Sequence, residues 1–110
     1  MHIKLIRDYM AFIKAAAKSE FPEGKGKKVV IGGKNIGVFN IDGKFYAIDH
    51  KCTHMGGPLS QSEVKDFCVT CPWHGSEFDI RTGALKKGPA LRPVKSYPVK
   101  VEGEDVLVEI

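Results

Sequence analysis

Two short loops, Cys52-Thr53-His54-Met55-Gly56-Gly57-Pro58 and Cys71-Pro72-Trp73-His74-Gly75-Ser76, carry the strongest signal in this sequence. Each loop contains one cysteine and one histidine, and sixteen residues separate His54 from Cys71. Two thiolates and two imidazoles can complete a four-ligand metal site, but a zinc finger usually places a cysteine pair before a histidine pair. One cysteine and one histidine in each loop instead suits a two-iron cluster, in which the cysteines hold one iron and the histidines hold the other.

The two motifs resemble the C-x-H and C-x-x-H cluster-binding sequences of the Rieske family. The flanking sequences extend the resemblance: Pro58-Leu59-Ser60, Phe78-Asp79-Ile80-Arg81-Thr82-Gly83 and Gly88-Pro89-Ala90. The similarity runs from about Tyr9 to the C-terminus and leaves residues 1–8 as an N-terminal extension. It implies one Rieske-type 2Fe-2S cluster, whose metal ligands are Cys52, His54, Cys71 and His74. A structural zinc site is the plain metal alternative.

The resemblance also assigns residues around the cluster. Ser76 occupies the position at which high-potential Rieske proteins place a hydroxyl donor to a bridging sulfide, whereas Phe78 replaces a tyrosine donor to a cysteine sulfur. Hydrogen bonds to cluster sulfurs stabilise the reduced state, so one kept donor and one lost donor predict an intermediate reduction potential. Trp73 and Pro89 are expected to shield the cluster, although Trp73 could instead lie at a partner interface.

The pattern between the turns predicts an all-β fold. Lys27 to Ile31, Asn35 to Ile41 and Lys44 to Asp49 read as strands, and Asp42-Gly43 is a strong hairpin signal. Phe67 to Thr70, Tyr97 to Glu102 and Asp105 to Ile110 read as further strands. The resemblance implies a Rieske-like antiparallel β-sandwich, one domain over 1–110, with a smaller cluster-binding subdomain over about 49–89.

The N-terminal part gives conflicting signals. Helix propensity alone would allow a helix from Leu5 to Ala17, because Ala15-Ala16-Ala17 favours one. The resemblance instead makes Tyr9 to Ala15 the first strand, followed by a short helical turn near Ser19-Glu20-Phe21. We follow the resemblance, since a sheet neighbour can override propensity.

Composition narrows the function classes. The 110 residues suit one domain, and no apolar stretch approaches the length of a membrane span or has the form of a signal peptide. A cytoplasmic protein is therefore expected. The formal net charge of +4 is only mildly basic, and no recognisable nucleic-acid-binding motif accompanies it.

The cysteine content also favours a cytoplasmic protein. If Cys52 and Cys71 are ligands, Cys68 is the only cysteine left and no internal disulfide can form. Membrane-bound Rieske subunits carry an extra cysteine in each cluster loop, and those positions resemble Gly57 and Trp73 here. Cys68 is expected to be a small buried hydrophobic residue on the strand that leads to Cys71.

These features favour a one-electron carrier that takes electrons from a reductase and passes them to a terminal oxidoreductase, as ferredoxins of ring-hydroxylating dioxygenase systems do. The alternative is a small Rieske-like subunit of a larger enzyme such as nitrite reductase. An oxygenase would need a further iron held by two histidines and a carboxylate, and only His2 and His50, interpreted as ordinary surface or loop residues, remain. The chain is therefore not expected to be an enzyme by itself.

Lysines beside the cluster loops suggest how a partner would dock. Lys51, Lys86 and Lys87 could guide an acidic redox partner, because opposite charges raise association rates. A monomer is favoured for the free carrier.

Overall fold

The computed structural model describes residues 12–53 and 56–110, and these residues form eleven strands in three antiparallel sheets. The first four strands, β1 to β4, are Phe12–Ala17, Gly26–Ile31, Lys34–Ile41 and Lys44–Asp49. Strands β5 to β8 are Val64–Lys65, Cys68–Thr70, Glu77–Asp79 and Leu85–Lys87, and strands β9 to β11 are Ser96–Tyr97, Val99–Glu102 and Asp105–Glu109. Two short 3₁₀ turns span Lys18–Glu20 and Leu59–Gln61.

Two of the sheets form the base of the molecule. One has the strand order β1-β11-β10 and the other β2-β3-β4-β9. Their shared core contains the following buried side chains: Phe21, Val29, Ile31, Ile36, Val38, Ala47, Tyr97, Val106 and Val108. The all-β prediction is confirmed, and the apolar surface that these residues remove from water stabilises the base.

The central hairpin follows from its turn residues. Asp42 and Gly43 both have positive φ, 53° and 81°, which is the backbone conformation of the tight turns that join antiparallel strands. Strand β4 begins and ends where the sequence predicted, at Lys44–Asp49, and pairs with β3 from Ile41 opposite Lys44.

The third sheet, β5-β6-β7-β8, carries a second core. Phe39 and Ile48, from the central strands β3 and β4, pack there with Leu59, Val69 and Phe78. The central sheet is therefore buried on both faces, which explains why the β3 sequence does not alternate between apolar and polar residues. The predicted boundaries of the cluster-binding subdomain, 49–89, remain a prediction.

The ends of the chain refine the expected strands. β1 spans Phe12–Ala17 and pairs with β11, so a strand partner overrides the helix propensity of the alanines. The rest of the predicted first strand, Tyr9 to Ala11, lies outside the described residues. The predicted strand from Tyr97 to Glu102 is interrupted at Pro98, which has no N–H to donate to a neighbour. Within 12–53 and 56–110, the chain contains no helix with the length and apolar character to span a bilayer.

Candidate metal centre

The first ligand loop leaves the end of β4 and is closed by its own backbone. The Cys52 N–H donates to the Gly57 carbonyl at 2.9 Å, and the Gly56 N–H donates to the Cys52 carbonyl at 2.8 Å. Gly56 has φ +77° with open space around it, so glycine is favoured there by backbone conformation rather than by crowding. The Leu59 N–H closes the base of the loop on the His50 carbonyl at 2.8 Å.

The second loop, between β6 and β7, has the same closure. The Cys71 N–H donates to the Ser76 carbonyl at 2.7 Å, and the Gly75 N–H donates to the Cys71 carbonyl at 2.9 Å. Gly75 has φ +83°, matching Gly56 in the first loop. Each loop therefore places its cysteine at the start of an equivalent six-residue turn, with the glycine four residues later in the left-handed region.

The two loops meet at the second cysteine. A methyl group on Gly57 would collide with Cys71 Sγ and would lie 3.4 Å from atoms of the Trp73 indole. Gly57 and Trp73, which the resemblance predicted to match the extra cysteines of membrane-bound Rieske subunits, therefore lie next to each other. None of the three cysteines, all of which lie in the described part of the chain, forms a disulfide.

Burial distinguishes the two predicted cysteine ligands from His74, the predicted histidine ligand that the structure describes. The exposed fractions of Cys52 and Cys71 are 4% and 3%, whereas His74 is exposed. His54 and Met55 lie outside the described residues, so the structure places three of the four predicted ligands. Within the described part of the chain, no three His, Cys, Asp or Glu side chains gather around a single-ion site. A set of two cysteines and two histidines fits a two-iron cluster, which divides its ligands between two metals.

A third loop, 88–93, is hydrogen-bonded to both ligand loops. The Ala90 N–H donates to Ser76 Oγ at 2.9 Å, and Thr53 Oγ1 donates to the Arg92 carbonyl at 2.7 Å. Ser76 is fully buried. Because its Oγ is the acceptor in the bond from Ala90, the hydroxyl proton can still be donated to another acceptor. Pro89 follows a cis peptide bond and is exposed.

The apolar side chains around the loops are more exposed than a cluster cover would suggest. Trp73 is 55% exposed and Leu91, next to the buried Ala90, is 92% exposed. Trp73 packs its ring against Gly57 and leaves the rest of the indole in solvent. The structure thus gives Trp73 both a contact with the first loop and an open face.

An ion pair between buried Asp79 and exposed Arg81 supports the strands behind the second loop. Hydrogen bonds from Arg81 hold the pKa of the Asp79 carboxyl below its ordinary value, and the two side chains approach to 2.8 Å. Burial, followed by the nearby charge of Asp79, raises the pKa of the half-buried Cys68 thiol. Cys68 therefore stays protonated at neutral pH, as expected of a structural cysteine rather than a reactive one.

The interpretation of His50 as an ordinary surface or loop residue is wrong about its exposure, because the residue lies in the loop after β4 but is buried. It is 9% exposed, and its Nδ1 lies 2.7 Å from Ser60 Oγ, also buried. The hydroxyl ten positions away supplies the polar partner that makes this burial possible. The proximity of His50 to Cys52 in sequence was the only available hint, and it did not reveal the contact.

Known proteins resemble this chain over most of its length. The Rieske [2Fe-2S] domain model matches residues 11–98. The biphenyl dioxygenase ferredoxin subunit of Pseudomonas sp. strain KKS102 is 39% identical over 101 residues, which cover 91% of this chain and 93% of that protein.

Solved structures share the fold. A chain from the complex of reduced oxygenase and oxidised ferredoxin in carbazole 1,9a-dioxygenase is 28% identical, with a TM-score of 0.82 over 91% of this chain and 94% of that one. A chain described as an NADH-dependent nitrite reductase small subunit from Mycobacterium tuberculosis has a TM-score of 0.79 at 23% identity, over 88% of this chain and 92% of that one. The latter likeness shows the fold alone.

Proposed function

This chain belongs to the Rieske 2Fe-2S domain family, and we propose that it is a one-electron carrier between a reductase and a terminal oxidoreductase. The dioxygenase ferredoxins match over nearly their full length, as the biphenyl dioxygenase subunit does. The nitrite reductase small subunit shares only the fold, so the ferredoxin function fits better. When bound, the cluster supplies a centre that accepts and releases a single electron.

We assign the ligands from the shape of the two loops. Cys52 and Cys71 hold one iron, and His54 and His74 hold the other. The observation that carries this assignment is the matched closure of the loops, which buries both thiols while His74 is exposed. A thiolate-bound iron is thereby kept from solvent, and the histidine side becomes the edge through which an electron reaches a partner.

Ser76 is the proposed hydrogen-bond donor to the cluster. Its Oγ already accepts the Ala90 N–H, which leaves the hydroxyl proton as the group it can donate. Phe78 is fully buried and offers no hydroxyl. One donor in place of two supports a reduction potential between those of typical dioxygenase ferredoxins and quinol-oxidising subunits.

The partner surface is proposed to lie around His74. Trp73 and Leu91 present exposed apolar area on neighbouring loops. The exposed Lys51 precedes the first ligand loop in sequence, and the exposed Lys86 and Lys87 precede the 88–93 loop. A small apolar centre with a basic rim suits a transient complex with an acidic partner, because rim charges mainly raise the association rate. We propose that the carrier has no catalytic site of its own.

Metal analysis and electron paramagnetic resonance of the reduced protein test the assignment. We expect two irons and two sulfides per chain, with hyperfine couplings from two histidine nitrogens. Cys71→Ser should abolish this signal, whereas Cys68→Ser, the same chemical change three residues earlier, should preserve it. Zinc in the purified protein, or a signal from all-sulfur ligation, would exclude the proposed centre.

A further inference from the structure

A cavity of about 380 Å³ lies beside the first ligand loop and outside the proposed metal centre. The edge of β2 and the 3₁₀ turn Leu59–Gln61 form its walls, and its lining includes Lys25, Lys28, His50, Ser60 and Glu63. Its volume is within the range of small-molecule sites. Most of the lining residues are polar or charged.

Glycines in the sheet fix one wall of this cavity. A Cβ on Gly26 would lie 2.9 Å from the Ser60 carbonyl oxygen, and a Cβ on Gly37 would lie 3.1 Å from the Ser60 Cβ. The 3₁₀ turn therefore sits directly on the backbone of β2 and β3. Ser60 is 4% exposed and is held in one place.

Ser60 in turn orients His50. Within the described residues, His50 Nδ1 is the side-chain partner of the Ser60 hydroxyl, at 2.7 Å. With the Ser60 hydroxyl as the donor to Nδ1, the tautomer that the proposed site requires, the ring proton lies on Nε2. Within the described part of the chain, Nε2 makes no hydrogen bond, and every fully enclosed side-chain nitrogen or oxygen has a partner. Nε2 is therefore not fully enclosed, and the cavity that His50 lines is the open space next to it. His50 is nine-tenths buried, and its Nε2 is the ring nitrogen that can face the cavity.

The charges around this donor select the ligand. Lys25 and Lys28 line the cavity and form no ion pair among the described residues, and Glu63 is the single carboxylate of the lining. The two ammonium groups outnumber the one carboxylate, and this balance of charge disfavours a metal cation and favours an anion.

We propose that this cavity binds a small oxyanion of the phosphate class, as free phosphate or as the phosphoryl group of a small molecule. The ammonium groups of Lys25 and Lys28 supply the charge, and the His50 Nε2–H supplies a directed hydrogen bond. The site is independent of the metal ligands, although the loop that carries Cys52 starts from the same residue, His50.

Calorimetric titration of the cluster-loaded protein with inorganic phosphate, at constant ionic strength against chloride, tests the site. We expect saturable binding of one phosphate with a Kd in the millimolar range or tighter. Lys28→Gln should weaken binding about fivefold, and the double variant with Lys25→Gln should weaken it further. Lys65→Gln, an equal loss of charge at an exposed residue of β5 outside the lining, is the control and should leave binding unchanged.

Two further changes separate a built site from a diffuse basic surface. Glu63→Gln should tighten phosphate binding, because it removes the repelling carboxylate. His50→Asn, which keeps a polar group near Ser60 but loses the Nε2 donor, should weaken binding more than His50→Gln, which can place an N–H near the Nε2 position. A simple phosphomonoester titrated alongside phosphate distinguishes the two sources of the anion.

If the His50 variants fail to load a cluster, the lysine and glutamate variants still test the proposed site. Absence of saturable binding up to about 50 mM phosphate, more than tenfold above a millimolar Kd, would overturn the proposal. Equal weakening by Lys28→Gln and Lys65→Gln would also overturn it, since that result would mean general charge attraction.

Discussion

Single residues set the properties of the centre, and Ser76 is the one whose role can be measured most directly. Ser76→Ala is expected to lower the reduction potential, because the hydroxyl can no longer stabilise the more negative reduced state. A net hydrogen bond of roughly 1 kcal/mol corresponds to about 40 mV for a one-electron couple. A spectroscopic redox titration measures this shift.

Thr53→Val is the matched control for Ser76→Ala. The Thr53 hydroxyl also joins a ligand loop to the 88–93 loop, but it donates to the Arg92 carbonyl. Removing the Thr53 hydroxyl loosens the attachment of a ligand loop to the 88–93 loop, as Ser76→Ala does, but it removes no hydroxyl that could donate to the cluster. An equal drop in potential in both variants would show that loop packing, rather than a hydrogen bond from Ser76, sets the potential.

Tyr97 gives a second prediction at the scale of residues. Burial, followed by its hydrogen bond to Asp49 at 2.6 Å, raises the pKa of the Tyr97 phenol far above its ordinary value near 10. The folded state keeps this proton when the unfolded state has lost it, so stability should be constant below about pH 10 and fall as pH rises above it. Thermal unfolding between pH 8 and about pH 11 should show a smaller decline in Tyr97→Phe.

The residues that could be identified from the sequence have partners close by in the sequence, whereas the residues that were missed have partners far away in it. Cys71 and His74 are close in sequence, and their spacing is itself the signal. Tyr97 and Asp49 are 48 positions apart, and His50 meets Ser60 only because the first loop folds back on itself. A residue type says nothing about a partner that the tertiary fold supplies.

At the scale of elements, the contact between the two ligand loops depends on Gly57. Gly57→Ala should reduce cluster incorporation strongly, because the added methyl would occupy the space of Cys71 Sγ. The iron and sulfide content of purified protein measures the effect. Gly43→Ala is the control, since Gly43 has φ +81° in open space at a distant turn. It should cost about 1–2 kcal/mol of stability through backbone strain and leave the cluster content unchanged.

The hairpin of β7 and β8 carries a pH-dependent contribution to stability. Asp79 is 4% exposed and accepts hydrogen bonds from the Arg81 backbone and guanidinium, which also lies 4.3 Å from the Phe67 ring centre. Because the folded-state pKa of Asp79 is lowered, its contribution is present above its unfolded pKa, about 3.9, and is lost as pH falls through the folded value.

Asp79→Asn should therefore lower the free energy of unfolding at neutral pH and give a smaller difference from the parent protein under acid conditions. Denaturant unfolding of the metal-free proteins at a series of pH values measures it, provided that both retain the same circular dichroism. A difference that is independent of pH would assign the effect to shape and hydrogen-bond number instead of charge.

Elements with strong turn chemistry were predictable, and those held by tertiary contacts were not. Asp42-Gly43 located the hairpin of β3 and β4 to within a residue. Strands β5, β7 and β8 have only two or three residues each, too short for a period-two pattern to stand out. Their positions depend on the second core and on the ligand loops that they support.

At the scale of the whole molecule, strand β4 separates the proposed electron-transfer edge from the β3–β4 turn. Strand β4 runs from the β3–β4 turn, beside Lys44, to the first ligand loop after Asp49. Six extended residues separate these ends by roughly 20 Å. Charges on the two ends should therefore affect partner docking very differently, since screening at physiological salt acts over about 8 Å.

The proposed basic rim predicts a rate effect. Reversing the charge of Lys86 and Lys87 together to glutamate should slow electron delivery to a purified ring-hydroxylating oxygenase at low salt, because two attractions to an acidic partner become repulsions. The difference from the parent protein should shrink as ionic strength rises. Stopped-flow measurement of the oxidation of the reduced carrier, over a series of salt concentrations, records both effects.

Lys44→Glu supplies the control for this experiment, because it changes the charge of a similarly exposed lysine at the far end of β4. It should leave the association rate nearly unchanged at physiological salt. If it slows the reaction as much per charge as the Lys86 and Lys87 changes, net charge rather than a local rim governs association. If none of the three changes matters, docking depends on the apolar surface of Trp73 and Leu91, and the acidic-partner proposal fails.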